Sequence, residues 1–426
     1  MPHDTDVAIV GGGLAGLGAA RALLSRGLRC VVLEASGRIG GRAWTAYPQA
    51  LGGVWFDMGA VWLHDAEHNP LVPIADAAGE KLLRADELRQ ERTFIGQREA
   101  TPAEYADYAD AWTRFELAAD GILSARPDAP LAEVARRLPD DPWAATIETW
   151  EGPVICAVEA NRFSLRDWRR NALSGSNLVP QGGIGAFVER RLGDGLEIRL
   201  KTPVTMVRWN GPSGRVVLEA PRGSLSAGAC IVTVSTGVLA SGVLAFDPAL
   251  PVEVQENIAA LPMGLAMKVA LRATGADRLD LPANCLVDHQ VSRSGEPAML
   301  FQCWPLGRDY VQSWVGGDVA WELARAGEDA AADFALSQLR ALFGGRVDRL
   351  FSGGGRLVTH WDQDPFVRGA YSYVPPGHAG ARRALAEPVA DGRLLFAGEA
   401  CHDGAAGTLG GAWISGQDAA RTVVCS

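Results

Sequence analysis

Apolar residues open the chain as two short runs, "DVAIV" (6–10) and "CVVLEA" (30–35), separated by a Gly-rich break and an apolar helical stretch. Short continuous apolar runs bounded by turn residues read as strands buried on both faces, so residues 6–35 predict a strand, turn, helix, strand unit. From about 65 to 150 the pattern becomes Ala-rich, with acidic and basic residues at helical spacing. Within it, "TPAEYADYADAWTRFELAADGIL" opens with a capping box: Thr101 as N-cap, Pro102 at the first helical position and Glu104 at N3. Strand patterns return at about 195–245, 261–315 and 356–374, with an Ala-rich helix at about 328–343. The last segment repeats strand, loop and helix in "RLLFAGEA", "CHDGAAG" and "TLGGAWISGQDAARTVV". The order predicts an α/β protein in which two domains interleave along the chain.

One strand-like run is unusual. In "LPMGLAMKVAL" (261–271) every residue is apolar, Gly or Pro except Lys268. A buried, unpartnered ammonium is costly. The lysine therefore either snorkels to water from a strand edge or sits where it has a use.

Composition narrows the field. At 426 residues, 48% hydrophobic and 21% charged, the chain suits a soluble globular protein of about two or three domains. Fifty Gly point to tight turns and close backbone approach, and thirteen Trp to large flat surfaces that can line a pocket. A formal net charge of −10 argues against nucleic acid and favours small cationic partners. Seven cysteines (30, 156, 230, 285, 303, 401, 425) include no CxxC, so neither a disulfide framework nor a zinc site is expected, and Cys30 and Cys230 read as inert core. The polar N-terminus "MPHDTD" is unlike a signal peptide, and no run of eighteen apolar residues suggests a membrane span. The expectation is a cytoplasmic protein with no membrane partner; its oligomeric state is left open.

Gly11, Gly13 and Gly16 form GxGxxG between the first strand and helix, and Glu34 ends the second strand. In this arrangement the glycines make the turn, admit a pyrophosphate and let helix and strand pack, while the acid accepts from ribose hydroxyls. "GRIGGRAWT" (37–45) then sets Arg38 and Arg42 beside Gly41, where guanidinium groups can pair with a pyrophosphate. The fold expectation is therefore a Rossmann-type dinucleotide domain over residues 1–64, 178–245 and 386–426. It interleaves with a mixed-sheet plus helical substrate-binding domain over 65–177 and 246–385.

The pairing of "VAIVGGGLAGLGAARAL" with "LEASGRIGGRAWT" resembles the flavin-containing amine oxidase family of monoamine and polyamine oxidases, amino-acid oxidases and lysine-specific histone demethylases. The likeness recurs in family order in "FDMGAVWLH", "VPQGGIGAFVERRL", "KTPVTMVRW", "LPMGLAMKVAL", "HWDQDPFVRGAYSYVPPG" and "LFAGEACHDGAAGTLGGAWISGQDAA". Residues 65–150 match in character alone.

The resemblance implies FAD rather than NAD. It places Glu399 at the ribityl or phosphate region, and the backbones of Val204 and Leu409 at the adenine and flavin rings. The helix that "TLGGAW" starts adds a physical reason, since Thr408 and Leu409 lie at its positive end, suited to charge that builds on a flavin accepting a hydride. Monoamine oxidases carry a flavin-linking Cys where this chain has Ala370, so attachment is expected to be non-covalent. The resemblance further implies that Lys268 points at flavin N5 through a water, that Tyr371 faces the substrate amine, and that His64 of the "GAxWxH" form lies near it. Tyr373 reads as core or outer support, and Trp361 either borders the flavin or belongs to the core. Asp65 and Glu67 read as a solvated loop.

Thr408, where monoamine oxidases have Tyr, and Val61 and Trp62, where amino-acid oxidases often present Arg, bring the chain nearest to polyamine oxidases. The implied reaction moves a hydride from an amine α-carbon to the flavin. The imine hydrolyses to an aldehyde plus amine or ammonia, and O2 is reduced to H2O2. No metal is required. An L-amino-acid oxidase or other FAD oxidoreductase of the superfamily, and a catalytically silent flavin-binding module, stand as alternatives.

Overall fold

The computed structural model describes residues 5–210 and 214–423; the opening "MPHD" and Cys425 lie outside the described residues. Thr5–Val10, helix Leu14–Ser25 and Cys30–Leu33 form the expected βαβ unit. The two strands run parallel in the register Val7 to Cys30 and Val10 to Leu33. Val7, Ala8, Ile9 and Val10 are all buried, as befits a strand covered on both faces.

This unit sits inside an eight-stranded sheet. Its order is Ala245–Asp247, Met206–Arg208, Val216–Ala220, Gly223–Val232, Thr5–Val10, Cys30–Leu33 and Ile198–Arg199. Leu394–Phe396 pairs with the far half of Gly223–Val232. The last helix, Leu409–Thr422, then lies on the first, Leu14–Ser25. A Cβ at Gly416 would stand 1.9 Å from the Ala15 carbonyl oxygen, and one at Gly18 2.6 Å from that of Trp413, so the two backbones touch and only glycine fits.

The second sheet has seven strands in the order Arg356–Val358, Ala266–Arg272, Tyr310–Gly316, Leu300–Cys303, Cys285–His289, Gln90–Ile95 and Arg98–Glu99. Its alternation decides what it can do. Met267, Val269, Leu271, Val311 and Val315 pack against Ala331, Ala335 and Leu339 of helix Glu328–Phe343. Lys268 and the residue opposite it, Trp314, stand on the other face, toward a cavity.

Two expectations need correction. Residues 65–150 are not helical throughout: Leu82–Arg84, Gln90–Ile95 and Arg98–Glu99 are strands, and Gln90–Ile95 pairs in parallel with Cys285–His289. Its first residues are exposed, so the charges that suggested a helix face are those of a solvated strand. Residues 356–374 contain the short strands Arg356–Val358 and Tyr371–Ser372 within mostly irregular chain, because Pro365 and Gly369 interrupt the apolar run. The capping box is as expected. Thr101 Oγ1 accepts from the Glu104 N–H at 3.4 Å, and the Thr101 N–H donates to Glu104 Oε2 at 2.8 Å. Cys30 and Cys230 are buried and unbridged, with burial pushing the Cys30 thiol up to about 11.

Candidate active site

A cavity of about 1080 Å³ runs from the end of the first strand to the helices around Trp168, at the large end of small-molecule sites. Every catalytic and cofactor-binding residue expected from the sequence lines it except Gly16. Gly16 works from behind, since a Cβ there would stand 1.9 Å from the Gly11 carbonyl oxygen and force the loop off the helix. Gly11 has φ +106°, a value open to glycine.

The two Gly-rich loops are locked together, with the Gly40 N–H donating to the Gly12 carbonyl at 2.8 Å and Gly41 close against Gly13. Helix Leu14–Ser25 starts at Gly13 with no side-chain cap and no acid in its first turn, and a Cβ at Gly13 would meet open space. Unfilled N–H groups at a positive helix end, facing a cavity across a glycine, suit a phosphate. Glu34 accepts from the N–H groups of Gly12 (2.6 Å) and Ser36 (2.7 Å), which fixes its carboxylate beside the loop. The Arg38 guanidinium lies 4.7 Å from the centre of the Trp44 ring.

Arg42 reaches across to the other end of the chain, donating to the Ala370 carbonyl at 2.7 Å and to Glu399 at 3.0 Å. Glu399 also accepts from the Ser372 N–H and hydroxyl and from the Gly407 N–H. Burial works against its charge, but Arg42 and Arg382 outweigh it and hold the carboxyl below its ordinary range. Arg382 in turn makes a fully buried pair with Asp167. Thr408 caps helix Leu409–Thr422 by accepting from the Gly411 N–H at 2.9 Å, so Thr408 and Leu409 mark a second helix start on the cavity wall. Val204 is a buried wall residue, and Trp361 donates to the Met58 carbonyl at 3.2 Å while packing edge-on to Trp44. The donor set therefore fits a flavin dinucleotide: two glycine loops and an open helix start for the phosphates, Glu34 for a ribose, and a second helix start for a ring.

Lys268 is 6% exposed, which removes the snorkelling alternative. Its ammonium donates to the carbonyls of Asp57 (2.6 Å) and Gly59 (2.5 Å), a solvation supplied by protein backbone where the sequence reading expected a water and the flavin. Burial pulls its pKa down to about 8, with the Asp57 carboxylate opposing. The Asp57 carboxyl is itself pushed up by burial, against hydrogen bonds from Thr45 and the Ile184 N–H.

Around the lysine the wall is aromatic. Trp62 packs on Trp314 with ring centres 5.7 Å apart, and Tyr371 donates its hydroxyl to the Ile155 carbonyl at 2.6 Å. Burial pushes the Tyr371 phenol further above its ordinary value, so it is a wall rather than an acid. His64 Nδ1 is 2.6 Å from Asn177 Oδ1, and Asn177 Nδ2 donates to Asp86. Asp86 thus fixes the amide, Nδ1 carries the proton, and Nε2 is left as an acceptor. Burial lowers the His64 pKa, keeping the ring neutral near pH 7. Tyr373 lines the cavity but also packs into the helical core, while Asp65 and Glu67 pair with His68 and Ser176 away from its wall.

Sequence reasoning missed Asp86, Asn177, Trp314 and Glu151. Asp86 lies within the segment without motif and Glu151 directly after it, Asn177 sits just before "VPQGG", and Trp314 is visible only through its register with Lys268.

Residues 14–424 match the family described as flavin containing amine oxidoreductase. The chain belongs to this family. Among curated amine oxidoreductases it is 29% identical to polyamine oxidase 4 of Oryza sativa subsp. japonica, covering 97% of this chain and 87% of that protein. It is 27% identical to lysine-specific histone demethylase 2 of Homo sapiens, of which it spans about half (53%). A putrescine oxidase solved with putrescine bound shares the fold, with TM-score 0.79 over 98% of both chains at 21% identity. As a member of the family the chain is an oxidoreductase with a flavin cofactor, and amines are its substrate class. Among the described residues, no helix is long and apolar enough to cross a membrane.

Proposed function

We propose that the protein is an FAD-dependent amine oxidase of polyamine type, with non-covalent FAD, O2 as electron acceptor and the cytoplasm as its compartment. The observation that carries this is the single cavity joining an open, glycine-fronted helix start to a buried lysine and an aromatic chamber. Sheet membership supports the proposed domain division. Strands of the first sheet fall almost wholly within 1–64, 178–245 and 386–426, and those of the second within 65–177 and 246–385.

Bound FAD would supply the redox step, accepting a hydride from the carbon beside the amine nitrogen and passing two electrons to O2 to give H2O2, while water converts the imine to aldehyde and amine or ammonia. The chain does the rest. The glycine loops and helix Leu14–Ser25 hold phosphates, Glu34 a ribose, and Arg42 keeps the second glycine loop tied to Glu399. With a pKa near 8, Lys268 can hold or release a proton at its Nζ at working pH. His64 Nε2 accepts from the substrate ammonium, and Trp62, Trp314 and Tyr371 exclude water and orient the carbon chain. The buried Ala370 offers no sulfur for a flavin link.

The test is anaerobic mixing of the purified holoenzyme with spermine, spermidine, acetylated polyamines, aromatic monoamines and amino acids, following flavin absorbance near 450 nm (roughly the cofactor's own band). Polyamines are expected to bleach it. Bleaching by amino acids alone would replace the proposal with an amino-acid oxidase.

A further inference from the structure

On its helical side the cavity is walled by a carboxylate that, among the described residues, no cation neutralises. Glu151 lies on the wide helical turn Trp150–Val154, a turn of π geometry of the kind often found at functional sites. Its Oε2 accepts from the indole N–H of Trp168 at 2.7 Å. Among the described residues, Oε1 has no hydrogen-bond donor and no arginine or lysine pairs with the group. The charged neighbour that acts on it is Glu116, of like sign. Glu116 lines the same cavity and has its own partner in Arg169 at 3.9 Å.

The position of this carboxylate is fixed. A Cβ at Gly316 would stand 1.8 Å from the Pro153 carbonyl oxygen, and one at Gly152 3.2 Å from the Ala160 N and Val158 O, so the turn is pressed between a sheet strand and the following loop. Trp168, its donor, is buried edge-on to Phe115. Four residues beyond Glu151, the Ile155 carbonyl takes the Tyr371 hydroxyl, which places the acid about one helical turn along the wall from the aromatic chamber. Val154, Ile155 and Phe163 line the cavity alongside it. A half-buried carboxylate with one neutral donor is poorly stabilised, and desolvation together with Glu116 pushes its pKa up. A ligand cation would supply the missing partner.

We propose that Glu151 binds a second cationic nitrogen of the substrate, separated from the oxidised one by a short methylene chain, so that diamines and polyamines are selected over monoamines. This rests on the amine-oxidase reading above and adds to it a named specificity residue. The same indole that orients the carboxylate also presents an apolar surface to the methylenes.

The experiment compares putrescine, spermidine and butylamine on the holoenzyme by stopped-flow anaerobic reduction, which separates dissociation constant from limiting rate. It uses the wild type, E151Q and E151D. Loss of a charge-assisted bond in E151Q is expected to weaken putrescine and spermidine at least about tenfold relative to butylamine. The effect should fall mainly on the dissociation constant, and E151D should recover part of the preference. Equal weakening of all three amines, or none, overturns the proposal and makes Glu151 a structural group. If no amine reduces the wild-type flavin, the oxidase reading fails separately. Calorimetric titration of that unreacting holoenzyme with spermidine then decides the residue: binding weakened about tenfold in E151Q keeps Glu151 as a polyamine site, and equal binding or none removes it.

Discussion

The ammonium of Lys268 donates to the backbone carbonyl of Asp57 at 2.6 Å, while the carboxylate of the same Asp57 is occupied by Thr45 and by the start of helix Ile184–Arg191. Lysine and aspartate are thus neighbours held by separate hydrogen bonds rather than a contact ion pair. Lys268→Met is expected to leave flavin bound and to slow flavin reduction or reoxidation at least about tenfold, the low end for a positioned acid–base group. Stopped-flow traces of the two half-reactions check this, and wild-type rates in the variant would assign the lysine to structure alone.

The same lysine gives a pH signature in stability. Its folded pKa of about 8 lies below the ordinary 10.5, so below pH 8 it is charged in both states and its burial costs the folded protein in full. Between about 8 and 10.5 the folded protein releases the proton first, the unfolded chain binds more protons, and stability rises with pH. Any advantage of Lys268→Met over the wild type should therefore shrink across that window. Parallel pH curves from chemical denaturation of the two proteins would show that the lysine is not perturbed.

Arg382 and Asp167 are 2% and 1% exposed, and Arg382 also donates to the Ser372 hydroxyl and carbonyl beside Glu399. Arg382→Met strands a buried carboxylate, at a cost of about 3–5 kcal/mol. Adding Asp167→Asn should recover part of that loss. Urea titration of both variants measures it, and a single variant within about 0.5 kcal/mol of wild type would contradict the buried pair.

His64 and Asn177 are expected to act as one unit. Each alanine variant should slow amine-dependent flavin reduction about tenfold, and the double variant little further, because Asn177 works through the imidazole it orients. Multiplying effects would show independent roles. With the ring neutral near pH 7, reduction in the wild type should show no limb near pH 6.5 that His64→Ala abolishes.

How much of this was legible in the sequence depended on whether the signal is local. Gly11, Gly13, Gly16 and Glu34 declare themselves because turn, helix start and second strand are contiguous, and the Thr101 capping box needs four residues. Lys268 announced a conflict between charge and burial, but its partners could not be read. The carbonyls of Asp57 and Gly59 are more than two hundred positions away. Glu151 carries no local signal, since an acid in a helical stretch looks the same whether it faces water or a cavity. The strand Gln90–Ile95 is not legible locally because a polar strand takes its pairing from a distant partner, Cys285–His289.

The contact between helices Leu14–Ser25 and Leu409–Thr422 has a bearing on how the molecule comes into being. Arg26 bonds the carbonyl of Ala420, 394 positions later, and Leu394–Phe396 docks beside Gly223–Val232 in the sheet begun by Thr5–Val10. During vectorial synthesis the βαβ unit leaves the ribosome well before helix Leu409–Thr422, yet its outer helix must wait for that helix to cover it. At about 5–20 residues per second that interval is on the order of tens of seconds, during which an apolar helix face stays open to chaperones.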